Sequence, residues 1–214
     1  KELVKRLQSD ASYNIKTSWK MLTLFIGANN LCDVCTDPAY NGPDAVQAAI
    51  EAALDYVKAN VPRVFVNLVP VVDVTELGAV NSLWCDFLHP WLCECAVGND
   101  NQKAQTRNAA QDMGLRLYTI RDQPKYNNAD DFTIVVQPFF SDVTVPTTSD
   151  GSADLSYFAP DCFHFSQKGH ANSALGLWNN LVEKVGEKKT YWRVGEATEC
   201  PAPGDYLWTN KNSQ

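Results

Sequence analysis

Lys20-Met-Leu-Thr-Leu-Phe-Ile26, followed at once by Gly27-Ala-Asn29-Asn30, is the stretch on which the fold turns. A near-continuous apolar run of this length, closed by a glycine, reads as a strand covered on both faces in a parallel sheet. Downstream, Pro43-Asp44 opens a helix that carries Val46, Ile50, Leu54 and Val57 on one stripe and ends at Pro62. Arg63 to Val69 reads as a second buried strand and Phe132 to Val136 as a third. Between them, Asn101 to Arg121 is a polar-faced helix, expected to be bent or interrupted near Gly114. Ser166 starts a last helix, with Ala171, Ala174, Leu175, Trp178 and Leu181 expected inward. Strands and helices in alternation, with no internal repeat, imply right-handed crossovers and a doubly wound α/β sandwich.

The chemistry-bearing residues sit after those strands. In Asp161-Cys-Phe-His164 an acid three residues before a histidine can bond one imidazole nitrogen, which fixes the tautomer and leaves the other nitrogen to accept a serine proton. Asn29, just past the first strand, can aim its amide at a developing oxyanion. The nucleophile is missing: neither Gly-Asp-Ser nor Gly-x-Ser-x-Gly occurs, and the one Gly-Ser, Gly151-Ser152, lies in a polar turn-like stretch.

Together, Trp19 to Cys35 and Ala159-Pro-Asp161-Cys-Phe-His164-Phe-Ser-Gln-Lys-Gly169-His170 resemble the GDSL/SGNH hydrolases, and within them the animal phospholipase B proteins. Gly27 and Asn29 match the family's Gly-x-Asn-Asp block, with Asn30 in place of the usual Asp, a departure that touches loop packing. Asp161 and His164 match its Asp-x-x-His block, and Asp131 to Phe140 is also phospholipase B-like. The resemblance implies an SGNH-type, flavodoxin-like three-layer α/β/α sandwich with a parallel sheet. It implies the roles of base for His164, orienter for Asp161 and oxyanion donor for Asn29. It also implies that residues 1–214 are the C-terminal portion of one catalytic domain, whose first strands and serine should precede Lys1. The expected activity is hydrolysis of phospholipid and lysophospholipid esters, with no metal or cofactor. A catalytically dead lipid-binding chain and a carbohydrate-acetyl esterase of the same superfamily are the alternatives.

Composition fits a folded, extracellular piece. The chain has 214 residues, 45% hydrophobic with six tryptophans, enough for one sizeable core. A formal charge of -7 argues against nucleic acid or a strongly anionic surface as partner. No apolar run approaches a membrane span, and Lys184, Lys188 and Lys189 are expected to form a solvated face at a helix C-terminus. The start, Lys1-Glu-Leu-Val-Lys, has neither an initiator Met nor a signal-peptide core, and is expected to be a cleavage site or an artificial boundary. Seven cysteines favour an oxidising compartment; they allow at most three internal bridges, of open connectivity, and leave one over. The expected location is secreted or extracellular, with release from a membrane-anchored precursor as one route. A zinc reading of Cys32-x-x-Cys35 with Cys93-x-Cys95 is weakened by the tight second spacing.

Topology ties these observations to a partner. In a 2-1-3-4-5 sheet, active residues gather outside the carboxyl ends of the strands at the topological switch, where Asn29 falls. If the three strands are the third, fourth and fifth, Lys20 to Ile26 is an apolar edge without its neighbour. The absent strand would also deliver the serine. The expected partner is therefore an N-terminal chain of the same precursor, forming a heterodimer that the odd cysteine could tie. His170 is expected to be a packing or surface histidine. His89, in Trp84-Cys-Asp-Phe-Leu-His89-Pro-Trp91, is expected to pack beneath a disulfide-bearing loop, with an acyl-chain wall or interfacial contact as the functional alternative.

Overall fold

A computed structural model describes residues 1–127, 129–211 and 213. Its elements are α1 (Glu2–Ser9), β1 (Lys20–Phe25), α2 (Ala28–Asp33), α3 (Pro38–Asn41), α4 (Pro43–Asn60) and β2 (Val64–Val69). They continue with α5 (Leu83–Leu92), α6 (Glu94–Val97), α7 (Asp100–Arg121), α8 (Pro124–Asn127), β3 (Phe132–Val136) and α9 (Gln167–Val182). Single 3₁₀ segments lie at Val74–Ala79 and Leu155–Tyr157.

The three strands form a parallel sheet in the order β1-β2-β3, with Lys20 beside Val64 and Val64 beside Phe132. Strand alternation sends Val64, Val66 and Leu68 to one face, where they meet Ile50 and Leu54 of α4 and Met113 and Leu117 of α7. Phe65 and Val69 go to the other, Phe65 against Val135 and Leu181 of α9, and Val69 against Phe139, Phe140 and Trp192. Successive strands step one way with both connecting helices on one face, so the two crossovers share one hand, and α9 on the opposite face completes the α/β/α layering. β2 is buried throughout, and each fully covered Val or Leu there contributes about 1.5–3 kcal/mol.

Several expectations are corrected. α7 runs unbroken through Gly114, opened by a capping box in which Asn99 and Gln102 satisfy each other's backbone amides. On α9 Leu181 is buried as expected and Leu175 is half-buried, but Ala171, Ala174 and Trp178 are exposed, and the rest of the inner side is Gly169, Gly176, Asn179 and Asn180. The reason is close approach. A Cβ on Gly176 would lie 2.8 Å from Phe139 Cδ2, and the buried asparagines are satisfied, Asn180 Oδ1 accepting from the Phe139 amide at 3.0 Å and Asn179 Nδ2 donating to Ala197 O at 3.0 Å. Of the three lysines expected to form a solvated face, Lys184 is exposed as expected, but Lys188 and Lys189 are engaged. Lys189 pairs with Glu183, Glu196 and Glu199, while Lys188 donates to the carbonyls of Asn180 and Glu183 at the end of α9, and burial pushes its ammonium down to about 8.

β1 reads as a strand covered on both faces, yet it is half-exposed. Among the described residues β2 is its sole strand neighbour, and Trp19, Met21, Phe25 and Ile26 are exposed. On its α4 side an open groove of about 300 Å³ is lined by Ile26, Tyr40, Ala45, Ala49 and Ala53. Unpaired strand edge and apolar groove therefore lie side by side.

Candidate active site

The chain leaves β1 at Phe25 and turns through Gly27, whose φ of 120° is a conformation that side-chain-bearing residues rarely adopt. A Cβ there would also press on Val71 Cγ1 at 3.3 Å. This turn places Asn29 in the first turn of the short helix α2, one step beyond the strand end where sequence puts it. Asn29 is exposed and, among the described residues, its amide has no protein partner. Asn30 turns away and donates to Asn41 Oδ1 at 3.0 Å, the packing role expected of the departure from Asp.

Asp161 and His164 meet as the spacing predicts. His164 Nδ1 lies 2.7 Å from Asp161 Oδ2, while Asp161 Oδ1 accepts from the amides of Phe163 and His164, both at 3.0 Å. Burial pushes the Asp161 carboxyl up, but these bonds outweigh it and hold it below the ordinary carboxylate value. A carboxylate can only accept, so Nδ1 carries the proton and Nε2 presents a lone pair. Among the described residues Nε2 has no hydrogen-bond partner. Ser152 is engaged elsewhere, its hydroxyl bonding Asp150 Oδ1 at 2.7 Å and Thr148 Oγ1 at 2.8 Å in an exposed turn.

The loop between Asp161 and His164 is clamped from α5. Cys162 has φ 58°, a left-handed conformation that costs a β-carbon-bearing residue about 1–3 kcal/mol and persists only where surroundings enforce it. Three contacts do so: Cys162 is disulfide-bonded to Cys85, the buried His89 donates from Nε2 to Cys162 O at 3.0 Å, and Trp84 Nε1 donates to Pro160 O at 3.0 Å. His89 thus packs beneath a disulfide-bearing loop, as expected, and does not line the cavity described next.

His164 and Asn29 open onto one cavity of about 270 Å³. Its walls are predominantly apolar: Phe25, Val72, Val145, Phe158, Phe165 and Trp192. His170 joins the wall, edge-on to Phe165 with ring centroids 5.9 Å apart. Sequence reasoning missed this wall, although Phe163 and Phe165 flanking His164 were a visible signal. It also missed Asp73, which lines the cavity and is fixed by Thr75 and Arg107. The remaining cysteines pair as Cys32–Cys93 and Cys35–Cys95, so the zinc reading is overturned: all four thiols are consumed. Cys200 is the free, exposed cysteine. Three disulfides fit an oxidising, extracellular or membrane-associated location. Among the described residues no helix is long and apolar enough to cross a membrane.

The Asp161–His164 pair and the Asn29 amide thus share one apolar cavity at the carboxyl ends of a parallel sheet, an arrangement that fits an acylhydrolase. The chain belongs to the GDSL-like lipase/acylhydrolase family, whose model matches residues 1–177. Over its whole length it is 37% identical to the human and to the rat membrane-associated phospholipase B1, and 35% identical to the mouse protein. It spans about 15% of the length of each of these relatives.

Proposed function

We propose that residues 1–214 are the C-terminal portion of one GDSL-type catalytic domain that hydrolyses the carboxylic esters of phospholipids and lysophospholipids, in a secreted protein. The observation that carries this is the His164–Asp161 pair, joined at 2.7 Å with Nε2 open onto the same apolar cavity as Asn29. In the reaction a serine hydroxyl attacks the acyl carbonyl while His164 Nε2 takes its proton. The histidine then returns the proton to the departing alcohol, and in the second half activates water against the acyl-enzyme. Asp161 holds the tautomer and balances the imidazolium charge. Asn29 donates to the oxyanion, together with backbone amides of the serine segment.

The serine comes from an N-terminal segment of the same precursor, retained as a separate chain after cleavage. The unpaired edge of β1, with exposed Met21 and Phe25 on one side and the alanine-lined groove on the other, supports a strand and helix docking there. Cys200 is the candidate for a covalent tie between the two chains.

Fluorophosphonate labelling of native material, followed by mass spectrometry, tests this: the label should fall on a Gly-Asp-Ser serine outside residues 1–214. Labelling of a serine within this chain, or lipid-ester hydrolysis by the isolated chain, overturns the split site. Reducing and non-reducing gels test the Cys200 tie separately. A protein that binds lipid but takes no label would be the dead lipid-binding alternative. The predominantly apolar cavity wall speaks against an acetylated sugar as substrate.

A further inference from the structure

Helix α5 is built inside out. Its buried residues are Cys85 and the polar His89, while its large apolar side chains face solvent: Leu83 is 96% exposed, Trp84 58%, Phe87 62% and Trp91 82%. Trp84, Phe87 and Trp91 recur at helical spacing on one stripe, and the rings of Trp84 and Phe87 stack with centroids 6.1 Å apart. Water alone does not favour such a face, and a contiguous aromatic patch of this kind marks a contact surface. Its place in the fold is specific. α5 grips the loop of the base through Cys85–Cys162, His89 Nε2 to Cys162 O and Trp84 Nε1 to Pro160 O. Behind Cys85 lie Val145 and Phe158, which line the cavity itself.

We infer that the outer face of α5 docks onto a zwitterionic phospholipid surface and brings the mouth of the cavity to aggregated lipid. The choice of lipid rests on charge and residue type. Tryptophan favours the boundary between headgroups and hydrocarbon, and a short amphipathic helix can lie in that plane. α5 has no lysine or arginine, its one acidic residue is Asp86, and the whole chain carries -7, so attraction to anionic headgroups is absent. The inference rests on the lipid-esterase reading above for its purpose, but its physical content is binding and is measured as such.

The test uses the full-length natural protein and its Phe87→Ser/Trp91→Ser variant, leaving Trp84 in place because its indole holds Pro160. Sedimentation with phosphatidylcholine vesicles should show partition reduced by roughly tenfold for each large side chain withdrawn, about 100-fold in all. Hydrolysis of a soluble p-nitrophenyl ester should be unchanged. In the unmodified protein, amides 83–92 should gain hydrogen-exchange protection when phosphatidylcholine vesicles are added, a readout that needs no variant to fold. Unchanged partition, no protection of α5, or binding that requires phosphatidylserine overturns the inference. So does a variant that loses a protein partner on size exclusion while keeping its vesicle affinity, since the face is then a protein interface. The two readings fail separately: vesicle binding through α5 without hydrolysis of any ester refutes the esterase and leaves docking intact, whereas hydrolysis with α5-independent binding does the reverse.

Discussion

Asp161→Asn isolates what the carboxylate does. In the structure Oδ1 takes two backbone amides, from Phe163 and His164, and Oδ2 takes His164 Nδ1 at 2.7 Å. Asparagine can keep the oxygen that faces the amides, so the turn survives, but it turns an NH₂ toward Nδ1. The imidazole must then accept at Nδ1 and carry its proton on Nε2, where it no longer acts as a base. The same exchange in a Ser-His-Asp triad lowers kcat by about 10⁴. A loss of roughly 10³ to 10⁴ is expected here, about 4–5.5 kcal/mol of barrier at 1.36 kcal/mol per decade. Asp161→Ala removes both amide acceptors as well, and by analogy with a lost helix cap should destabilise the fold by about 1 kcal/mol more than the Asn variant. The assay is kcat on a soluble ester and the rate of fluorophosphonate labelling in the full-length protein, with thermal unfolding of all three forms. Asp161→Asn within tenfold of wild type would falsify the tautomer argument, and equal destabilisation by Asn and Ala would remove the structural role of Oδ1.

Asn29→Ala should lower kcat by about 10² to 10³ with KM little changed, because the amide acts on the transition-state oxygen; steady-state kinetics in which only KM rises would make Asn29 a binding residue. Replacing both Cys85 and Cys162 by Ala removes a crosslink between residues 77 apart and should cost about 4 kcal/mol in denaturant unfolding. It should also cut kcat well beyond the effect of Cys32→Ala/Cys93→Ala, which frees no part of the base loop; equal kcat in the two pairs refutes the clamp. Lys188 has its ammonium pushed from 10.5 down to about 8 by burial, so between those values the unfolded state holds the extra proton and stability contributed by this group rises with pH. Denaturant midpoints of wild type minus Lys188→Gln should therefore climb from pH 8 to 10, and a flat difference shows that Lys188 is not desolvated.

Local sequence by itself determined the three strands, since short apolar runs closed by glycine or polar residues have few alternatives. It also determined the Asp161–His164 pair, because a three-residue spacing brings acid and base together within one loop. What it could not determine lies where distant segments meet. The inner face of α9 is glycine and asparagine, and only the approach of Phe139 to Gly176 makes that face more favourable than the alanine and tryptophan stripe. Whether Cys32, Cys35, Cys93 and Cys95 hold a metal or each other depended on strand order bringing α2 beside α6. The aromatic run Trp84 to Trp91 was plain as composition, but only tertiary structure decided that its polar histidine goes inward to hold Cys162 while its tryptophans face out. Burial is a property of what arrives from elsewhere in the chain, and periodicity within a segment carries it only when the segment's own apolar face is the one that is met.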